Sequence, residues 1–197
     1  MGNECLGYFE LQNKLRPGIG AMLEELVSKF QLYLLSGDKD QDKEWLKKYF
    51  PAPGQMFFLQ KPIDKLNFIQ KLQQKAGSKI LMLGDGLNDA GALKQSYVGI
   101  SVTQDIAQFT PASEAIIAAN QLPKLPKLLR FIEASKKILA ICFGFSLLYN
   151  TVGVGFAVTG KASPLVAAIL MPLSSITIVT LAATLTHWYE RKILSYK

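Results

Sequence analysis

The chain has 197 residues, a mean hydropathy of +0.18 and a net charge of +7, and its length suits one domain or slightly more. No basic stripe interleaved with aromatic residues is present, so we expect no nucleic-acid partner. Two distant cysteines, Cys5 and Cys142, and one histidine exclude a disulfide framework and a zinc cluster.

Segments typical of strands and helices alternate up to about residue 120. Hydrophobic patterning predicts strands at 5–11, 31–38, 55–60, 79–83, 98–102 and 114–119, and helices at 16–30, 39–50, 63–76 and 88–96. This alternation is typical of an α/β fold with a parallel sheet covered on both faces. In such sheets ligands bind at the carboxyl ends of strands. The turns "SGD" (36–38) and "GDGLND" (84–89) both follow strands, so we expect them at one edge of the sheet.

Two long apolar segments follow, at 138–159 and 162–186, and neither contains a charged residue. Each exceeds the roughly 20 helical residues that cross a hydrocarbon core. Only Gly160 and Lys161 separate them, which predicts a tight hairpin. Basic residues before and after the pair predict that both outer ends are cytoplasmic. The alternative is two buried helices of a soluble core.

Two of the polar groups at the predicted edge suit phosphate binding. The hydroxyl of Ser36 and the backbone amides of its turn can hold phosphate oxygens. Lys65, in "KPIDK" (61–65), offers a positive charge to a phosphoryl group in transfer. Ser36 as an ordinary turn residue and Lys65 as a solvated helix charge are the structural alternatives.

The turn "GDGLND" gathers three further polar side chains. Asp85 can supply a carboxylate to Mg²⁺, which usually takes few ligands from the protein. Asn88 and Asp89 can hold the waters of the metal or a nucleophilic water. Asn88 as a helix cap is the alternative, although a cap needs one polar side chain and not three.

These motifs resemble those of P-type ATPases, which belong to the haloacid-dehalogenase-like superfamily. "MLGDGLNDAGAL" (82–93) is similar to their Gly-Asp-Gly-x-Asn-Asp hinge motif, "SGD" to their Thr-Gly-Asp loop and "KPIDK" to their Pro-x-Asp-Lys segment. "GYFELQNKLRPGI" (7–19) resembles the stretch that precedes the helix before Thr-Gly-Asp. The resemblance implies a haloacid-dehalogenase-like parallel sheet, with Mg²⁺ as cofactor and ATP bound mainly by a domain that this chain lacks. It also implies catalytic roles for Ser36, Gly37, Asp38, Lys65, Asn88 and Asp89, and cofactor binding by Asp85 and Asp89.

The apolar segments refine the resemblance. "YN" (Tyr149, Asn150) in the first and "MPLSS" (171–175) in the second resemble the last two helices of heavy-metal-transporting ATPases, particularly monovalent copper exporters. This implies that Tyr149, Asn150, Met171 and Ser175 contribute to the site of the transported metal, with Cu⁺ expected. A thioether is a soft ligand suited to Cu(I), and polar groups at mid-membrane depth are costly. Lipid-facing bulk for Met171 and helix packing for Ser175 are the alternatives.

The chain departs from the family pattern in ways that affect activity. It has no Asp-Lys-Thr-Gly-Thr segment, whose aspartate is phosphorylated in the family, and it lacks the nucleotide-binding and actuator domains. We therefore expect a sheet without its first, central strand and a chain that alone neither hydrolyses ATP nor transports metal. Asn13, Gly91 and Gly155 stand where the family often has Asp, Pro and Pro.

The expected organisation follows from these segments. Residues 1–120 are the later part of the phosphorylation domain, 121–137 a cytoplasmic stalk, 138–186 a transmembrane hairpin and 187–197 a cytoplasmic tail. The expected setting is a bacterial inner membrane, with lipid, a heavy-metal ion and the remainder of the pump as partners. A truncated paralogue that docks on a full pump, a membrane-anchored phosphatase of the same superfamily and a potassium-pump subunit are the alternatives.

Overall fold

A computed structural model describes residues 14–104, 113–160 and 163–194. The chain divides into two compact units, Met1–Leu125 and Pro126–Lys197. The strand predicted at 5–11 lies outside the described residues.

The first unit alternates short helices and strands, as the sequence predicts. Its helices are α1 (Ile19–Val27), α2 (Lys43–Leu46), α3 (Pro62–Ala76) and α4 (Ala90–Gln95). Its strands are β1 (Leu34–Leu35), β2 (Met56–Phe57), β3 (Leu81–Gly84), β4 (Val98–Thr103) and β5 (Ala115–Ala118). Every paired strand is parallel, which confirms the α/β class with parallel strands.

The described strands form two sheets. One contains β1 and β2, and the other contains β3, β4 and β5 in that order. Leu34 pairs with Met56 in the first sheet, and Leu81 pairs with Val98 in the second.

Helices cover the two faces of the β1–β2 sheet separately. On one face, Leu46, Tyr49 and Phe50, which lie in and after α2, form a buried cluster against the side chains of β1, β2 and α1. On the other face, the Phe68 ring of α3 lies 5.4 Å from Tyr33 and 4.8 Å from Phe57, measured between ring centroids. Neighbouring residues of a strand point to opposite faces, so this sheet is covered on both sides.

Helix α3 also covers the second sheet, together with α4. Ile69 of α3, Met82 of β3 and Leu93 of α4 form one buried cluster. Parallel crossovers are right-handed, so helices on opposite faces before and after β2 put β3 on the β1 side of the first sheet. Among the described strands, the two sheets share no pairing.

Several predicted elements are longer than the observed ones. The helix predicted over 39–50 is wrong: a 3-10 turn at Asp40–Asp42 and the four residues of α2 replace it. Beyond α2 the amides of Tyr49 and Phe50 both donate to the Leu46 carbonyl, at 2.9 and 3.2 Å, so the helical pattern becomes irregular there while both rings stay buried. The predicted strands 31–38 and 55–60 shorten to β1 and β2.

The second unit consists of two long helices. Helix α5 runs from Leu125 to Val158, with its first residue in the first unit, and α6 runs from Pro164 to Leu194. Both are long and apolar enough to cross a membrane, and their apolar stretches are almost entirely unburied. A core helix of a soluble protein would bury that surface, so the soluble-core alternative does not fit. Gly160 ends the first helix with a φ of 69°.

Candidate active site

Lys65 and Asp89 form a largely buried ion pair. The Lys65 Nζ donates to Asp89 Oδ1 at 2.7 Å, and the side chains are only 14% and 11% exposed. Lys65 lies in the first turn of α3, which Pro62 opens, and Asp64 Oδ2 accepts a hydrogen bond from the Lys61 amide at 3.0 Å. This N-terminal capping fixes where α3 begins, and hence where the Lys65 side chain reaches.

Gly84, the last residue of β3, makes room for Asp89. A Cβ at Gly84 would lie 2.7 Å from Asp89 Oδ2 and 2.8 Å from its Cβ, closer than real side chains approach. Only glycine therefore lets the Asp89 side chain fold over the end of the strand. The first glycine of "GDGLND" thus leaves the space that Asp89 needs to reach Lys65.

Asp85 and Asn88 meet across the turn after β3. The Asn88 backbone amide donates to Asp85 Oδ1 and its Nδ2 donates to Asp85 Oδ2, each at 3.3 Å. Gly86 allows the turn with a φ of 90°. Helix α4 has Asp89 at its N-cap position and no side-chain capping bond. Asn88 therefore does not cap the helix, and Asp85 remains exposed at the edge of the sheet.

The loop after β1 is held by the strand beside it. Ser36 N donates to the Phe57 carbonyl at 2.9 Å, and Gln60 N donates to the Ser36 carbonyl at 2.9 Å. Within the loop, Asp38 N donates to Ser36 Oγ at 3.1 Å. The Asp38 amide, one of those expected to bind phosphate, therefore already donates a hydrogen bond within the loop. Gly37 and Asp38 are exposed.

Ser36 follows β1 and Asp85 follows β3, so both turns lie at the carboxyl ends of parallel strands. Ligands bind at that end of open parallel sheets. The structure brings Lys65 of α3 to Asp89. That Ser36 belongs to the same site stays a prediction.

Asp85 suits a magnesium ion only if phosphate oxygens supply further ligands. Among the residues that the structure describes, no group of three or more His, Cys, Asp or Glu side chains could hold a metal ion. Mg²⁺ is often bound by one or two carboxylates together with phosphate oxygens, and one exposed carboxylate at a phosphate-binding edge fits that pattern. Asp89 Oδ1 already contacts the Lys65 ammonium, so that oxygen is engaged by another partner.

Sequence reasoning missed Ser101, on β4 beside Gly84. Its side chain is 3% exposed, and its hydroxyl has no hydrogen-bond partner. The register pairs Ser101 with Gly84, so its side chain points to the face on which Asp89 lies. A hydroxyl in the apolar run "VGISV" (98–102) was the signal that could have found it.

In the second unit, one candidate side chain links the two long helices. The Tyr149 hydroxyl donates to the Leu170 carbonyl at 2.8 Å, next to Met171. Asn150 Nδ2 donates to Ser146 Oγ on its own helix at 3.4 Å. Met171 is 74% exposed and Ser175 is exposed. The hydrogen bond of Tyr149 thus reaches the backbone beside Met171, whereas the described bond of Asn150 stays within α5.

Three comparisons with known proteins agree with these features. A family model described as a haloacid dehalogenase-like hydrolase matches residues 1–96. The chain is 28% identical over 180 residues to a probable copper-importing P-type ATPase A of Enterococcus hirae, covering 89% of this chain and 24% of that protein. It is 28% identical over 186 residues to a copper-transporting ATPase of Helicobacter pylori, covering 90% of this chain and 24% of that protein.

Among solved structures, a zinc-transporting PIB-type ATPase in its E2.Pi state has the same fold. The TM-score is 0.73 at 20% identity, over 89% of this chain and 28% of the other. This chain thus spans about a quarter of the length of the relatives it matches.

Proposed function

We propose that the chain works as the C-terminal portion of an ATP-driven heavy-metal pump in a membrane, because it is similar to that portion of P-type ATPases and has two helices able to span a membrane. In this proposal the pump forms an aspartyl phosphate on a residue outside this chain. The observation that carries it is the largely buried Lys65–Asp89 pair, which joins α3 to the turn that follows β3. In the same chain, Tyr149 bonds across two apolar helices.

The first unit supplies half of a phosphoryl-transfer site. Ser36 and Lys65 hold phosphate oxygens, with Asp89 keeping the Lys65 ammonium in position. Asp85 would hold Mg²⁺, which would offset the negative charge of the phosphoryl group. Asn88 orients the Asp85 carboxylate through two hydrogen bonds.

The second unit supplies part of the metal path. We assign Cu⁺ as the transported ion, because the Met171 thioether is a soft ligand and stands beside the carbonyl that Tyr149 engages. Asn150 and Ser175 add oxygen and amide groups in the same pair of helices. Copper and zinc both occur among the names of the relatives and of the matched structure.

Alone, the chain is inactive in this proposal, because it contains no Asp-Lys-Thr-Gly-Thr segment to accept phosphate. A second candidate, a non-catalytic protein that docks on a full pump, is favoured by the same feature and by the separation of its two sheets. Both candidates require the chain to associate with the remainder of a pump.

A chimera tests the metal assignment. In it, this chain replaces the aligned region of the Enterococcus hirae ATPase, and ATP hydrolysis is measured with Cu(I), with Zn(II) and without metal. We expect stimulation by Cu(I), and a loss of about tenfold or more in Met171→Leu, because a thioether ligand disappears.

Met22→Leu, in the core of the first unit, is the matched control and should keep the stimulation. Stimulation by Zn(II) alone would reject copper while leaving a heavy-metal pump. An inserted, folded chimera that no metal stimulates would reject the pump assignment.

A further inference from the structure

The first unit has an open cavity of about 440 Å³, and none of its lining residues belongs to the candidate active site. Its volume is within the range of roughly 300–1,000 Å³ that is usual for small-molecule sites. The lining comes from the segment before α1, the ends of β4 and β5, and a 3-10 turn: Arg16, Pro17, Gln104, Ala119, Asn120 and Pro123. The cavity thus lies at the carboxyl ends of two parallel strands, where such sheets bind ligands.

The backbone around the cavity is held in place on two sides. Gly18 has a φ of 84°, and a Cβ there would lie 3.0 Å from the Pro123 Cβ, so glycine lets the segment before α1 approach the 3-10 turn closely. On the other side, the amide of the buried Ala119 donates to the Thr103 carbonyl at 2.8 Å. The cavity is therefore formed by segments that packing and hydrogen bonds fix relative to one another.

Three polar side chains of the lining have unused hydrogen-bond donors. Among the residues that the structure describes, none forms a hydrogen bond or ion pair with the side chains of Arg16, Gln104 or Asn120. All three are exposed, so a dissolved ligand can reach them. A guanidinium carries a permanent positive charge and five donors, and each amide side chain carries two donors. None of the described lining residues is acidic, so the cavity is suited to an anion.

A phosphate monoester fits this lining better than a carboxylate does. Phosphate presents three terminal oxygens to the three donor side chains, whereas a carboxylate presents two. The guanidinium fork of Arg16 can bind two phosphate oxygens side by side. Pro17, Ala119 and Pro123 provide apolar walls for the carbon chain of an ester. The cavity thus has donors for the phosphate and apolar surface for the rest of the molecule.

We propose that this cavity is a binding site for a small, soluble phosphate monoester, held by the Arg16 guanidinium and by the side-chain amides of Gln104 and Asn120. Its residues differ from those assigned to phosphoryl transfer and to the metal path, so the proposal does not depend on the proposed function. Pro123 lies two residues before α5 begins, so the ligand contacts the segment that leads into α5.

Titration of the full chain with propyl phosphate, in phosphatidylcholine nanodiscs, tests the binding site. The NMR signals of the Gln104 and Asn120 side-chain amides report on the cavity, and that of Asn88 reports separately on the candidate active site. We expect the Gln104 and Asn120 signals to shift together, with a Kd of about 1 mM or tighter. 1-Propanol has the same carbon chain without the phosphate and should leave both signals unchanged.

Arg16→Gln should raise the Kd for propyl phosphate by about tenfold or more, because it removes the charge-assisted hydrogen bonds. Lys14→Gln is the matched control, since it removes an exposed positive charge two residues earlier in the chain. Salt screens a charge that does not touch the ligand, so Lys14→Gln should change the Kd by less than about twofold. Both side chains are exposed, so we expect both variants to fold.

Three results would overturn the proposal. The first is the absence of a saturable shift at Gln104 and Asn120, including a response confined to Asn88. The second is equal weakening by Arg16→Gln and Lys14→Gln, which would mean unspecific attraction of the anion. The third is a shift of the same signals by phosphatidylglycerol in the nanodisc without the probe, because the phosphate would then come from a lipid. The titration needs neither metal nor ATP, so it is independent of whether the chimera pumps.

Discussion

The ammonium group of Lys65 is largely buried and contacts the Asp89 carboxylate. Removing two charges from water costs several kcal/mol per ion, and a good contact offsets that cost only in part. A pair of apolar residues could fill the same space without that cost. We therefore expect the pair to be retained for its charge at the site.

Lys65→Met should leave Asp89 buried without a counter-charge and lower the free energy of unfolding by about 3 kcal/mol. The measurement is urea unfolding of the full chain in nanodiscs, followed by the fluorescence of Trp45 in a Trp188→Phe background. The double variant Lys65→Met, Asp89→Leu should regain most of the loss.

Lys47→Met is the matched control, because Lys47 and Glu44 pair at the surface with side chains 54% and 80% exposed. Such a pair contributes at most about 1 kcal/mol. Equal losses in Lys65→Met and Lys47→Met would contradict the buried role of Lys65.

For Ser101 we predict that substitution does not lower the free energy of unfolding. Its buried hydroxyl lacks a partner, so Ser101→Ala removes an unsatisfied group and should leave stability unchanged or raise it by about 1 kcal/mol. The same urea experiment measures this. A loss of more than about 1 kcal/mol would show that the hydroxyl has a partner in solution.

At the scale of elements, the sequence predicts the ends of β3 to within two residues and those of β4 to within one, because each is an apolar run between turns. It overestimates β1 and β2, since strand pairing needs a neighbour that the sequence pattern does not reveal. The helix predicted at 39–50 shortens because a 3-10 turn occupies Asp40–Asp42 and the Leu46 carbonyl accepts from both Tyr49 and Phe50 after α2.

Part of the candidate site can also be predicted from the sequence. Motif and strand order predict that Ser36, Lys65 and the "GDGLND" turn lie at one edge of the sheet. The direct contact between Lys65 and Asp89 spans 24 residues and depends on the glycine at 84, so no local pattern predicts it. The roles assigned to Tyr149, Asn150, Met171 and Ser175 in metal binding stay predictions.

The two long helices are joined by the hydrogen bond from Tyr149 to the Leu170 carbonyl. Tyr149→Phe should weaken their association by about 0.6 kcal/mol, the average for interhelical hydrogen bonds in membranes. The measurement is an SDS titration of the full chain with a fluorescent dye on each helix.

Thr151→Val is the matched control, because Thr151 bonds to the Leu147 carbonyl of its own helix at 2.8 Å. It should leave energy transfer between the dyes unchanged at every SDS fraction. A shift as large as that of Tyr149→Phe would mean that helix content, and not the interhelical bond, governs the titration.

At the scale of the whole molecule, the chain combines an α/β unit that contains the Lys65–Asp89 ion pair with two helices long and apolar enough to cross a membrane. The proposed function assigns half of a phosphoryl-transfer site to the α/β unit and part of a metal path to the helices. It assigns the nucleophile to the rest of the pump, so in the proposed function the chain alone is inactive.

The most direct test of this account is the phosphoenzyme of the Enterococcus hirae chimera, formed from radiolabelled ATP and Mg²⁺ and trapped in acid. We predict a hydroxylamine-sensitive acyl phosphate in the chimera and a loss of about a hundredfold or more in Asp85→Asn, since one carboxylate holds the magnesium. Asp40→Asn, in the exposed 3-10 turn, should retain full labelling. A folded, membrane-inserted chimera that is not labelled, or that is labelled equally in Asp85→Asn, would contradict the account.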